Sequence, residues 1–119
     1  MIDTVKIRVA DSVGSGFCVA SGDGQRIHEA IVGAFHINKK VKLSFSEVTD
    51  LTAAFLNAAI GQLYGKFSEN FIREYLSVED LSKEDLILFK KVVDRAKGYF
   101  KNPEPYRLAV QDVIGENDE

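Results

Sequence analysis

The chain has 119 residues, 45% of them hydrophobic, and a net charge of -3. A chain of this size and composition forms one domain with its own core and needs neither a metal nor a disulfide to fold. The excess of acidic residues argues against a nucleic-acid-binding protein, although Lys39–Lys42 and Lys90–Lys91 are local basic runs. No apolar stretch approaches the roughly 18 residues of a membrane span, so we expect a soluble, cytoplasmic protein.

The first third of the chain predicts two strands and a helix. Alternating apolar residues indicate a strand over Thr4–Ala10, and Phe17–Ala20 is a short apolar segment after the turn Gly14–Gly16. These two segments are predicted to pair as a hairpin. From Gln25 the apolar residues recur at helical spacing until Asn38, which predicts the first helix.

The segment Lys39–Phe67 predicts a strand that leads through a turn into a helix. Val41, Leu43 and Phe45 alternate with polar residues, which is the period of a half-buried strand. Further on, apolar residues recur at helical spacing up to the end of the segment, and Thr52 is placed to cap the first helical turn. A buried strand that continues into an apolar-faced helix is typical of a layered α/β domain.

Two more elements are predicted before the C-terminal end. Asn70–Leu76 alternates in the manner of a strand, and Ser82 opens a long last helix with Asp85 in a capping-box position. Asn102–Pro105 ends that helix because proline cannot continue it. The predicted element order is ββαβαβα. The buried stripe of the last helix is predicted to be Leu86, Phe89, Val93, Ala96 and Phe100.

The central segment resembles STAS domains, in which the corresponding stretch is written V-x-L-D-L-S-G-V-x-x-I-D-S-S-G-L. Leu43 and Phe45 match the strand of that pattern, Val48 matches the turn, and Leu51 matches the apolar residue before the helix. Ala53 falls where the family has its phosphorylatable serine.

The chain is also similar to the STAS-like domain family of uncharacterised function. In that family an S-F pair replaces S-G, and a G-x-L pattern follows. Ala54-Phe55 and Gly61-Gln62-Leu63 fit this version, and the resemblance extends roughly from Val5 to Phe100.

The resemblance implies a single α/β domain over residues 1–105, with a mixed four-stranded sheet and helices mainly on one face. Residues 106–119 form a C-terminal tail that we expect to be partly disordered. The resemblance also implies a regulatory, protein-binding domain of bacteria whose partner is a histidine-kinase-like ATPase. In anti-anti-sigma STAS domains such an ATPase phosphorylates the serine. Ala53 cannot accept phosphate, so Thr52 is the candidate phosphoacceptor at this turn, with helix capping as its alternative role.

Partner-binding residues are predicted where the strand ends and the central helix begins. Partners of α/β sheets meet the loops beyond the carboxyl ends of the strands, and a charged or polar side chain there is available for contact. The predicted residues are Asp50, Thr52 and Asn57 at the turn and the central helix, and Asp23 and Arg26 at the start of the helix before it.

The sequence predicts no enzyme, no cofactor and no metal. Its acidic residues do not pair at a spacing that suits acid–base catalysis, and no HExxH or related metal-ligand spacing occurs. Nothing ties His28 or His36 to Cys18, which we expect to be a buried thiol. A non-catalytic protein-binding domain is therefore predicted. The alternatives are an inhibitor or immunity-type protein that blocks a toxin or nuclease, and a small-ligand or nucleotide sensor.

Overall fold

The computed structural model of the chain describes residues 3–102, so the tail predicted from residue 106 lies outside the described residues. Within the described range the strands are Thr4–Arg8 (β1), Phe17–Cys18 (β2), Lys40–Ser44 (β3), Asp50–Leu51 (β4) and Leu76–Glu79 (β5). The helices are Val9–Val13 (α1), Ser21–His36 (α2), Ala53–Ala59 (α3), Glu69–Tyr75 (α4) and Lys83–Lys101 (α5), with a 3-10 helix at Gly61–Gly65. None of these helices is both long enough and apolar enough to cross a membrane.

The strands form two parallel sheets. β3 lies between β1 and β5 in a three-stranded sheet, and β2 pairs with β4 in a two-stranded one. The prediction of a mixed, four-stranded sheet is therefore wrong, although the domain is α/β. The register of the larger sheet places apolar side chains in rows on one face: Val5 beside Val41 and Leu76, and Ile7 beside Leu43 and Val78. This face carries the core, whereas Lys42 on the opposite face is exposed.

The predicted hairpin of β1 and β2 is also wrong, because a short helix separates the two strands. Val9 and Ala10, which the alternation assigned to the first strand, are buried in α1. Gly14 ends this helix with a φ of 92°, a conformation that glycine adopts readily, and donates its N–H to the Ala10 carbonyl oxygen. The chain thus leaves the first sheet at Arg8, and β2 pairs with β4 instead.

The segment predicted as a strand over Asn70–Leu76 is largely the helix α4. Ser68 caps this helix by accepting a hydrogen bond from the N–H of Phe71 at 3.1 Å. Phe71 and Tyr75, four residues apart, stack with their ring centroids 4.2 Å apart. Their packing on one helical face overrides the two-residue alternation, and the strand β5 begins only at Leu76.

Two helices differ in extent from the prediction. α2 begins at Ser21, four residues before the predicted start at Gln25. Gly22–Gly24 therefore belong to its first turns. The helix predicted to reach Phe67 ends at Ala59, and the 3-10 helix follows it. Glycine is a poor helix former, and a glycine stands at each end of the 3-10 helix.

The last helix begins as predicted, and of its predicted stripe Ala96 is buried while Phe89 and Val93, partly buried, pack against the core. Ser82 caps α5 by accepting a hydrogen bond from the N–H of Asp85 at 3.1 Å. The buried residues of α5 are Val92 and Ala96, whereas Leu86 and Phe100 are each 37% exposed. The helix packs against α3 and the 3-10 helix, so the contact with these elements sets its buried side.

Candidate functional site

The parallel pairing of β2 and β4 brings the starts of two helices together. The chain leaves the carboxyl end of β2 into α2, and it leaves the adjacent end of β4 into α3. Two hydrogen bonds join the two exits: the N–H of Thr52 donates to the Cys18 carbonyl oxygen at 3.2 Å, and the Thr52 hydroxyl donates to the Val19 carbonyl oxygen at 2.8 Å. The edge that the sequence predicted as a binding site therefore belongs to the smaller sheet.

Thr52 is a capping residue at this edge. Its Oγ1 accepts a hydrogen bond from the N–H of Phe55 at 3.1 Å, so the predicted N-cap is confirmed. The same hydroxyl is the donor to Val19. A phosphoryl group on Thr52 would remove that donor proton, so phosphorylation would break one of the two hydrogen bonds that join the helix starts, the one to Val19. The assignment of Thr52 as phosphoacceptor stays a prediction.

Asp50 is the first residue of β4 and is exposed. Its N–H donates to the Gly16 carbonyl oxygen at 3.1 Å, and its register partner is Phe17 of β2. A side chain at Gly16 would lie 2.7 Å from the carbonyl oxygen of Glu47, so only glycine fits this approach of the chain to β4. The carboxylate of Asp50 thus stands in solvent beside Phe17, two residues before the Thr52 cap.

Asp23 and Arg26 form an ion pair within the first two turns of α2. Gly24, between them in the sequence, lies against the carbonyl oxygen of Phe55 in α3, and a Cβ on Gly24 would also lie 3.1 Å from the Cβ of Ala58. This close approach fixes the start of α2 beside the start of α3. The ion pair therefore lies on the helix that shares the edge with Thr52.

Asn57 does not join this group. It is exposed in the second turn of α3, and its side-chain oxygen lies against Gly61. Five residues of an α-helix turn the chain by about 140° beyond a full turn, so Asn57 faces away from the side of α3 on which Thr52 lies. The structure brings four of the five predicted residues to one edge of the domain and places the fifth elsewhere.

Two exposed apolar side chains at this edge were missed by the sequence reasoning. Phe17 is 62% exposed and Val19 is 43% exposed, and they flank the buried Cys18. The in–out alternation of strand residues would have indicated this arrangement, but a run of apolar residues predicts burial on both faces. We call the whole edge the docking surface. It consists of Phe17, Val19, Asp23, Arg26, Asp50 and Thr52.

The domain also buries the thiol of Cys18 and the imidazole of His28. Cys18 is fully buried, and burial, with a smaller effect of the Asp23 charge, raises the pKa of its thiol to about 11. The Nε2 of His28 lies 2.9 Å from the Nζ of Lys66, and its Nδ1 lies 3.4 Å from the Ala59 carbonyl oxygen. Burial, and then the charge of Lys66, lower the pKa of His28, which keeps this imidazole neutral between α2 and α3. A thiol with a raised pKa is a poor nucleophile at neutral pH.

The described residues also lack a metal-binding group. Between residues 3 and 102, no three His, Cys, Asp or Glu residues come together as ligands for a metal ion. This edge of the domain presents two exposed apolar side chains, an ion pair, an exposed carboxylate and a capping hydroxyl.

Comparison with known proteins identifies one related family. Its model, described as a STAS-like domain of unknown function (DUF4325), matches residues 23–86, which is more than half of the chain. The match runs from the first turn of α2 to the first turn of α5 and includes Asp23, Arg26, Asp50 and Thr52, but not Phe17 and Val19. No curated protein and no solved structure matches the chain.

Proposed function

The chain belongs to the STAS-like domain family, and we propose that it is a non-catalytic regulatory domain that binds another protein through the docking surface. The observation that carries this proposal is the convergence of the α2 and α3 starts at one edge, where Thr52 joins them by its hydrogen bond to Val19. Four residues of this edge were singled out from the sequence as partner-binding residues. Two exposed apolar side chains stand among them.

The composition of the docking surface suits a protein partner. Protein interfaces combine apolar side chains at their centre with a polar rim, and here Phe17 and Val19 are exposed beside charged residues. Phe17 can bury a large apolar area on binding, and aromatic residues are enriched among the side chains that dominate binding energies. The negative charge of the exposed Asp50 carboxylate favours a basic residue on the partner. We propose a partner that presents an apolar pocket for Phe17 and a lysine or arginine for Asp50.

The resemblance to STAS domains suggests a histidine-kinase-like ATPase as this partner. In anti-anti-sigma STAS domains such an ATPase adds phosphate at the position of Ala53. Alanine cannot take phosphate, and the Thr52 hydroxyl already serves both as donor to Val19 and as acceptor from Phe55. We therefore propose that binding here does not require phosphate on Thr52.

The proposal is tested by mapping which residues of this chain its captured partner covers. The tagged full chain is used to capture a partner from the native host, the partner is identified by mass spectrometry, and the purified pair is examined by amide hydrogen exchange. The proposal predicts slower exchange on binding in residues 17–20 and 50–53. Slower exchange that avoids both stretches would contradict it. A captured toxin or nuclease that the protein blocks would instead support the inhibitor function.

A further inference from the structure

The face of the three-stranded sheet that points away from the core carries three lysines side by side. The register pairs Lys6 of β1 with Lys42 of β3, and Thr4 of β1 with Lys40 of β3. On the other side of β3, Lys42 has Ser77 of β5 as its neighbour. We call this group, Thr4, Lys6, Lys40, Lys42 and Ser77, the lysine face. Lysines that are distant in the sequence are thus assembled by the parallel pairing.

Solvation of an outer sheet face does not by itself explain this arrangement. A solvated face only needs to be polar, and like charges directly opposite one another on neighbouring strands destabilise a sheet. Lys6 has one ion pair, to Glu79 at 3.2 Å. Within residues 3–102, no acidic side chain forms an ion pair with Lys40 or Lys42. Glu79, on the same face, offsets the charge of Lys6 only, so among the described residues two lysines of this face keep unpaired charges in a chain whose net charge is -3.

Protection of a sheet edge does not explain Lys42 either. Lysines on edge strands prevent strands of other molecules from pairing, and this role is open to Lys6 on β1. Lys42, however, lies on β3, the central strand, whose two edges are already paired. Moreover, parallel sheets are nearly always covered on both faces, whereas Lys6, Lys42 and Ser77 are exposed.

We propose that the lysine face binds an acidic helix of a partner protein. Three strands span about 10 Å across and five residues about 17 Å along the strands, which matches one helix of about three turns and about 10 Å in diameter. A helix with glutamate or aspartate every three or four residues presents carboxylates on one side, opposite Lys6, Lys40 and Lys42. Such a helix would cover the outer face of the sheet.

Nucleic acid is a poorer match to the same charges. Proteins that read single-stranded nucleic acid on a sheet stack its bases on aromatic side chains. The lysine face has no aromatic member, and the carboxylate of Glu79 lies against Lys6. The proposal does not depend on the docking surface, since the two surfaces share no residue.

A defined peptide tests this inference on the full chain. The probe is a peptide of alanine and glutamate about 20 residues long, because shorter isolated helices are marginal in water; it is added to the isotope-labelled protein at low salt and followed by the amide NMR spectrum. The amide shifts are expected to lie in β1, β3 and β5. Lys42→Glu should weaken binding by about 1.5-fold to fivefold, the range for an exposed ion pair. Lys90→Glu is the matched control, because Lys90 is exposed on α5 and the charge change is identical.

Each other outcome overturns the proposal. Equal weakening by Lys42→Glu and Lys90→Glu would mean that the peptide responds to net charge alone. Shifts confined to α5 would place the binding elsewhere. Binding of a short single-stranded DNA at β1, β3 and β5, with no binding of the peptide, would identify nucleic acid as the occupant. Shifts in β1 and β3 without peptide, on neutralising the chain's own Glu116, Asp118 and Glu119 in the full chain, would identify the tail as the occupant.

Discussion

Gly24 and Gly33 offer the same substitution in one helix with opposite expected results. Both belong to α2, and alanine at either position gains about 0.5–1 kcal/mol because glycine loses more backbone freedom on folding. At Gly33 a Cβ would meet no atom within 4 Å, so Gly33→Ala should stabilise the protein by that amount. At Gly24 the Cβ would collide with the Phe55 carbonyl oxygen, a backbone atom that cannot move aside without shifting α3.

The packing penalty at Gly24 can be read from the difference between the two variants. Overpacking a tight site costs about 1–3 kcal/mol, and the propensity gain is common to both variants, so it cancels. Gly24→Ala should therefore be about 1–3 kcal/mol less stable than Gly33→Ala, measured as free energies of unfolding in urea. Equal stabilisation by both substitutions would refute the close approach of α2 and α3, and with it the placement of Asp23 and Arg26 beside Thr52.

Three further predictions concern the core, the cap and a buried base. Leu43→Ala should cost about 2–5 kcal/mol, because Leu43 is fully buried in the central strand; an unchanged melting temperature would contradict the strand assignment. Thr52→Ala should cost about 0.5–2 kcal/mol, whereas Thr52→Ser keeps both hydrogen bonds and should cost less. Because the pKa of His28 is lowered in the folded protein, the unfolded chain takes up the proton first, and stability should fall as the pH drops below about 6.5. His28→Gln should flatten that part of the stability profile, as measured by urea unfolding from pH 8 to 5, and an unaltered slope would contradict the buried, neutral imidazole.

The part of the fold that could be predicted from the sequence is the part with a clear local period. Val41, Leu43 and Phe45 alternate over a whole strand, and β3 forms there. The capping role of Thr52 was equally predictable, because this residue precedes a helical pattern and its hydroxyl can accept a hydrogen bond from the first turn. These features depend on neighbours in the sequence, which is why they survive in the folded chain.

The pairing of the short strands could not be predicted in the same way. β2 and β4 have two residues each, too few to show a period, and their partnership depends on tertiary contacts alone. The sequence in and just before α4 also contains a helical pattern. Phe67, Phe71 and Tyr75 recur every four residues, and their rings stack in turn. The two-residue alternation within the same stretch competed with this helical spacing, and the aromatic packing decided between them.

The residues of the candidate site differ in the same way in how far the sequence could predict them. Asp50 and Thr52 were found because they stand between a strand pattern and a helix pattern. The exposure of Phe17 follows only from its pairing beside Asp50, so an isolated apolar run concealed it. Asn57 was near in sequence to Thr52 but faces another way, because helical rotation separates residues five apart.

The affinity of the captured partner for two charge-reversal variants tests the docking surface most directly. Asp50→Lys reverses an exposed carboxylate within that surface, and Glu74→Lys reverses one on α4, which packs against β3, β5 and the 3-10 helix. Both variants should remain folded. Asp50→Lys should weaken binding by roughly 1–3 kcal/mol through charge reversal at a complementary surface, whereas Glu74→Lys should leave the dissociation constant unchanged. An unchanged dissociation constant for Asp50→Lys, or an equal loss for both variants, would contradict the proposed docking surface.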